Sequence, residues 1–337
     1  MAYDDRFDDL IASLGGFYRS WLVYIGLELG FFARLRESGE AGLLPVELAA
    51  ATGTHRPAVE VWAMAADAHE LAELRDGRLI LHDDVGAIVL DDHRAEFLGG
   101  QFSHAVVASM DWATMSDFFR TGTPIAHRPD RYRLAIERLT RQDIAVFFQE
   151  ALALQPQLVA DLTRGGRAVD IHCGGGRWLI AMARRFPSLE LVGVESEPDS
   201  AARARAVVSQ EGLSDRITIR ETPATEIGPA DTFDLAYFQY ALHQLPDAPG
   251  ALRAAWAALR AGGRLLVLDW PLPSEPEEFR SRHGELILGV QLDELFQGTA
   301  LVSRERYLAW FDDAGLPEPT GIDLPSGAAL FLLERAP

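Results

Sequence analysis

Val169-Asp170-Ile171-His172-Cys173-Gly174-Gly175-Gly176-Arg177-Trp178 is the stretch on which the fold of this chain turns. Residues 168–171 are apolar enough for a short strand, three glycines make a turn, and residues 178–185 continue as a helix. Glycine lets backbone approach a ligand closely, and the first turn of a helix offers free N–H groups. The next apolar run, residues 189–194, ends at Glu195, where an acid can accept both hydroxyls of a ribose. A glycine turn with an acid at this spacing points to an adenosine-containing cofactor. A dinucleotide turn reads G-x-G-x-x-G/A. Counted from Gly174, its third glycine is Leu179, which speaks against NAD.

Outward from this turn the texture repeats. Strands are expected at residues 217–219, 233–238, 265–268 and 328–333, and helices at 200–210, 248–260, 277–296 and 303–314. Gly262-Gly263 reads as the stop of the helix over 248–260. The alternation predicts an α/β fold, a doubly wound, mostly parallel sheet with helices on both faces. Ahead of it, residues 101–164 form a long helical stretch that reads as a lid, with Trp112, Phe119 and Phe148 among its aromatics. Core packing explains most such rings, and a few can wall an apolar pocket.

The first hundred residues read as all-α with one hairpin. Residues 15–35 are too apolar for a surface helix and suggest burial on more than one side. Pro45 opens a short helix that Gly53 breaks, a second helix runs from Arg56 to about Leu71, and Asp76-Gly77 turns a hairpin over residues 73–81. Helix, turn, helix and hairpin is the winged-helix order. The second helix sets one arginine against Glu60, Asp67 and Glu70, with no basic or amide cluster to read DNA, so packing or dimerisation suits it better. Two domains are expected, residues 1–100 and residues 101–337.

Composition excludes several chemistries. All 31 basic residues among the 337 are arginine, so there is no lysine for a Schiff base, a P-loop or a kinase. Cys173 is the single cysteine, which excludes an intrachain disulfide and a multi-cysteine zinc site, and no compact His and carboxylate spacing marks another metal. A net charge of −19 makes nucleic acid a poor partner. No apolar run approaches the roughly 18 residues of a membrane span. An acidic N-terminus and one cysteine fit the cytoplasm.

The motifs resemble those of the class I S-adenosylmethionine-dependent small-molecule O-methyltransferases of the caffeate type. Asp170, His172, Gly174 and Gly176 stand where that family's first motif reads Asp/Glu-x-Gly-x-Gly-x-Gly. Residues 238–247, with His243, are similar to its motif after strand four, and residues 259–269 to the one leading into strand five. Leu29-Gly30-Phe31-Phe32, Glu47-Leu48-Ala49 and Gly53 resemble its N-terminal dimerisation domain. The resemblance implies S-adenosylmethionine as cofactor, held by Asp170, Gly174, Gly176 and Glu195, and His243 as general base on a substrate hydroxyl. A histidine suits that task, with an ordinary pKa of about 6.5. It implies an apolar aromatic or polyketide-like small molecule as substrate, with Trp112, Phe119, Phe148 and Phe296 as pocket candidates. It also implies a homodimer in which one N-terminal domain helps close the partner's site.

Three positions depart from the family pattern. His172 replaces the first glycine, Thr222 stands where an acid often binds the adenine amine, and Gln239 replaces a common lysine. Some proteins resembling this family keep the fold and cofactor without methylating, catalysing pericyclic ring closure or decarboxylating hydroxylation. That alternative stays open. Asp269 reads as a cap at the end of strand five.

Overall fold

The computed structural model describes residues 3–336. The chain forms two compact units, Met1–Thr114 with Arg128–Gln142, and Met115–His127 with Asp143–Pro337. The stretch expected as a lid is thus divided between them.

The first unit contains α1 (Tyr3–Glu28), α2 (Phe31–Ser38), α3 (Pro45–Thr52), α4 (Arg56–Ala68), β1 (Ala72–Arg75), β2 (Arg78–Leu81), α5 (Asp83–Leu90) and α6 (Gly99–Asp111). Pro45 sits in the first turn of α3, where the Glu47 carboxylate accepts the Leu44 N–H at 2.9 Å. Asp76 and Gly77 both take positive φ, 51° and 77°, the twist that a two-residue hairpin needs between β1 and β2. Phe31 and Phe32 meet the Trp62 ring edge-on at 4.8 and 5.6 Å, and the Trp62 indole donates to the Leu22 carbonyl at 3.0 Å. The helix, turn, helix and hairpin order is as expected.

The expected burial of residues 15–35 holds only in part. Phe31, Phe32 and Leu35 are buried, whereas Phe17 is 51% exposed and Leu10, Leu14 and Tyr18 more so. The apolar run also extends further than its sequence suggests. Over an 18-residue window of mean hydropathy 1.2, α1 is long and apolar enough to cross a membrane by length and composition alone, although only 11% of that window is buried.

The second unit starts with α7 (Met115–Thr121). It takes in the last turn of α8 (Asp130–Val146), a π-helical turn Phe147–Ala151 and α9 (Pro156–Arg164). There follow β3 (Gly166–Ile171), α10 (Arg177–Arg185), β4 (Leu189–Glu195), α11 (Pro198–Gln210), β5 (Ile217–Glu221), β6 (Phe233–Gln239) and α12 (Ala248–Ala258). The chain ends with β7 (Leu259–Asp269), α13 (Arg282–Gln297), α14 (Arg304–Asp313), β8 (Thr320–Asp323) and β9 (Ala329–Glu334).

Seven strands make one sheet in the order β5-β4-β3-β6-β7-β9-β8, parallel except where β9 runs against β7 and β8. The central strands are apolar on both faces because helices cover both: Val169, Val192 and Phe238 are buried on one face and Ala168, Leu191 and Tyr237 on the other. Strand order reverses between β3 and β6. In open α/β sheets a ligand binds in the crevice beyond the strand ends at such a point.

Two details differ from expectation. The helix α12 stops at Ala258, and the glycine pair lies inside β7. Pairing of β6 with β7 slips between Phe233 and Leu235, and Gly262 takes φ 75° in the resulting bulge while its N–H donates to the Arg335 carbonyl at 2.8 Å. The strand β8 was not expected at all. It is a mostly exposed edge strand with little apolar signal.

Candidate active site

The turn between β3 and α10 is built on left-handed backbone. Gly174 has φ 51° and Gly176 φ 73°, values that glycine adopts at little cost. His172, at φ 64°, adopts the same conformation with a side chain, which costs about 1–2 kcal/mol. Where the family pattern carries glycine, this backbone still requires the glycine conformation. The imidazole lies beside Glu195, its Nδ1 3.7 Å from Oε1. Burial, then the charges of Asp170 and Glu195, push the Cys173 thiol far above the ordinary range, which disfavours the thiolate.

Glu195 ends β4 with a buried carboxylate. Oε2 accepts the Gly174 N–H and Oε1 the Glu197 N–H, each at 2.9 Å. A carboxylate has about four acceptor positions, so capacity remains for hydroxyls. A methyl group built on Gly174 would meet no atom within 4 Å, so the turn opens onto free space. Asp170 lies buried beside this turn, where burial and then the Glu195 charge push its carboxyl up to about 8. The Thr222 N–H donates to the Glu195 carbonyl at 3.1 Å and its hydroxyl reaches Glu226 at 3.5 Å. Gln239 accepts the Tyr237 hydroxyl at 3.2 Å. An open glycine turn followed by a carboxylate with acceptor capacity to spare fits the adenosine part of S-adenosylmethionine.

Beyond β6, a short 3-10 turn Leu242–Gln244 carries His243. Its Nδ1 stands 3.0 Å from the Asp269 carboxylate at the end of β7, and Nε2 stands 3.9 Å from Glu294 Oε2 on α13. The side chains of His243 and Asp269 are 3% and 0% exposed. Asp269 also accepts the Trp270 N–H at 2.9 Å, and the Thr299 hydroxyl donates to Glu294. The buried Nε2 atom has no hydrogen-bond partner. With Nδ1–H assigned to Asp269, Nε2 holds the free lone pair. Burial works against a charged ring here, but the charge and hydrogen bond of Asp269 and the charge of Glu294 outweigh it, and the pKa of His243 is raised.

Two members of this arrangement escaped the sequence. Asp269 is the orienting partner of His243 as well as a strand end, and Glu294 carried no signal. Of the aromatic candidates, Phe119 and Phe296 share the neighbour Phe118. Trp112 belongs to the first unit and is 38% exposed. Phe119 is 68% exposed beside Phe118, Phe148 meets Phe147 edge-on at 5.3 Å, and Phe296 is buried against Phe118 at 5.7 Å.

Comparisons with known proteins give the family and the fold. A family described as "Methyltransferase domain" matches residues 168–263, from β3 into β7. The chain is 30% identical over 165 residues to "Aklanonic acid methyltransferase DauC" of Streptomyces sp. (strain C5), covering 46% of this chain and 72% of that protein. It is 31% identical over 210 residues to "Aclacinomycin 10-hydroxylase RdmB" of Streptomyces purpurascens, covering 58% of this chain and 54% of that protein. A solved structure, "PigF with SAH", superposes with a TM-score of 0.72 at 20% identity over 99% of both chains, which shows the fold. The chain spans about half the length of the first curated relatives it matches, 49% and 58%. By its matched domain, its relatives and its fold, the chain belongs to the class I S-adenosylmethionine-dependent methyltransferase family.

Proposed function

We propose that this chain methylates a hydroxyl of an apolar aromatic or polyketide-like small molecule, with S-adenosylmethionine as cofactor and His243 as general base. The observation that carries the reading is the buried, unpartnered Nε2 of His243, whose other nitrogen is fixed by Asp269. Bound at the β3–α10 turn, the cofactor supplies an electrophilic methyl group on a sulfonium. Gly174 leaves room for it, Gly176 supplies the left-handed turn that opens α10, and Glu195 accepts its ribose hydroxyls. His243 Nε2 takes the acceptor's hydroxyl proton, Asp269 keeps the ring in the right tautomer, and Glu294 favours the protonated ring that results. Phe119, Phe148 and Phe296 are assigned to the substrate side.

A second reading has one specific support. The relative named a 10-hydroxylase matches more of this chain than the relative named for aklanonic acid, so an enzyme that keeps the cofactor without passing on its methyl is the competing account. Calorimetric titration tests what the two share. S-adenosylmethionine and S-adenosylhomocysteine should bind one per chain, and a Glu195→Ala variant should bind both about tenfold to a hundredfold more weakly. Failure of both to bind overturns both readings.

The assembly we infer is a homodimer in the cytoplasm. In the first unit, Phe7, Leu10, Leu14, Phe17 and Tyr18 of α1 are exposed, and a groove of about 450 Å³ between Leu22, Ile25, Leu29, Val61, Trp62 and Ala65 is almost wholly apolar. A second copy presenting the same helix would bury both surfaces. Light scattering should return twice the chain mass, and Leu14→Glu with Phe17→Glu should return the monomer.

A further inference from the structure

Three residues of the β3–α10 turn take left-handed backbone, His172, Gly174 and Gly176, and the first of them carries an imidazole. The backbone is held there by its own bonds. The N–H groups of His172 and Cys173 both donate to the Val194 carbonyl of β4, at 2.8 and 3.0 Å. Glycine would take that conformation at less cost, so the turn does not need this side chain for its shape. Where the ring lies shows another use. Its Nδ1 stands 3.7 Å from Oε1 of Glu195, too far for a hydrogen bond between them. The His172 side chain is 29% exposed and that of Glu195 2%. The ring therefore sits at the accessible edge of the buried carboxylate assigned to the cofactor's ribose.

Glu195 alone recognises only half of a hydroxyl. An ionised carboxylate accepts and cannot donate, and its two oxygens already take the Gly174 and Glu197 N–H groups at 2.9 Å each. A ribose hydroxyl bound to it gives its hydrogen to the carboxylate and keeps unpaired lone pairs on its own oxygen. Two groups 3.7 Å apart can both reach one oxygen atom placed about 2.8 Å from each. We propose that His172 is a second ribose-binding residue: one hydroxyl donates to Glu195 Oε1 and accepts from the Nδ1–H of His172. The hydrogen is assigned to Nδ1 by this arrangement. A hydroxyl held between an acceptor and a donor is read as both. The site then selects a ribonucleoside over a deoxyribonucleoside more sharply than a carboxylate alone, because removing the hydroxyl leaves two protein groups without their partner. This is what the imidazole adds where the family pattern has glycine.

The inference rests on the proposed binding of S-adenosylmethionine at this turn, and its test separates the two. S-adenosylhomocysteine and its two monodeoxy forms, each lacking one ribose hydroxyl, are titrated calorimetrically into the wild type and His172→Gly. Glycine suits a φ of 64°, so the variant should melt at or above the wild-type temperature, and weaker binding then has no origin in lost folding. It should bind S-adenosylhomocysteine about threefold to tenfold more weakly, the range of one neutral hydrogen bond. Against the deoxy form that lacks the shared hydroxyl, the same substitution should change affinity by less than about twofold, while against the other form it keeps its full effect. A loss of equal size against all three ligands would mean that the ring only fills space, and no loss against any would mean that it only faces solvent. Either result overturns the proposal and leaves the cofactor reading intact. Failure of S-adenosylhomocysteine to bind the wild type overturns the cofactor reading and this inference with it.

Discussion

On the proposed function, His243→Ala should lower methyl transfer by about three orders of magnitude while S-adenosylmethionine still binds, as expected when a positioned general base is removed. The side chain is 3% exposed, so solvent cannot deliver a substitute base of equal geometry. The cofactor cradle lies on other elements, the β3–α10 turn and the end of β4, so binding heats should change little. Transfer of a labelled methyl group reads the first quantity and calorimetry the second. A variant that kept full transfer would leave the buried pair with Asp269 as a packing feature only.

Asp269→Asn is the second large effect, expected at about two to three orders of magnitude in kcat. An amide at this position can offer its NH₂ to Nδ1, turning the ring to the tautomer that carries hydrogen on Nε2 and cannot accept a proton there. The pH profile adds a signature that misfolding would not give. His243 acts as base only when neutral, so activity should rise with pH through its raised pKa and stay flat above it. Removing the Asp269 charge lowers that pKa, so the acid limb should move to lower pH while the plateau falls. Glu294→Gln should move the limb the same way by less, because its carboxylate stands 3.9 Å from Nε2 against the 3.0 Å of the Asp269 contact.

Local patterns carried most of the fold and less of the site. The glycine turn, the acid at the end of β4 and the alternation of apolar runs announce a doubly wound sheet because each is set by neighbouring residues. The end of α12 was misplaced because Gly262-Gly263 is as good a bulge as a helix stop, and only pairing with β6 and Arg335 decides between them. The short strand β8 has no apolar signal, since its residues are mostly exposed. His243 was legible through the residues around it. Asp269 was legible only as a strand end, and Glu294 not at all, because both meet the imidazole through tertiary packing of β7 and α13. The outer face of α1 reads as core by composition and is exposed, because composition alone does not say which side of an apolar helix is covered.

The most direct test of the central claim uses S-adenosylmethionine labelled in its methyl group, incubated with the protein and a panel of hydroxylated aromatic and polyketide acceptors. The account predicts an acceptor that gains the labelled methyl on oxygen, with S-adenosylhomocysteine formed in equal amount and both lost in His243→Ala. An acceptor converted to a product without the label, at a rate that His243→Ala leaves unchanged, would contradict it.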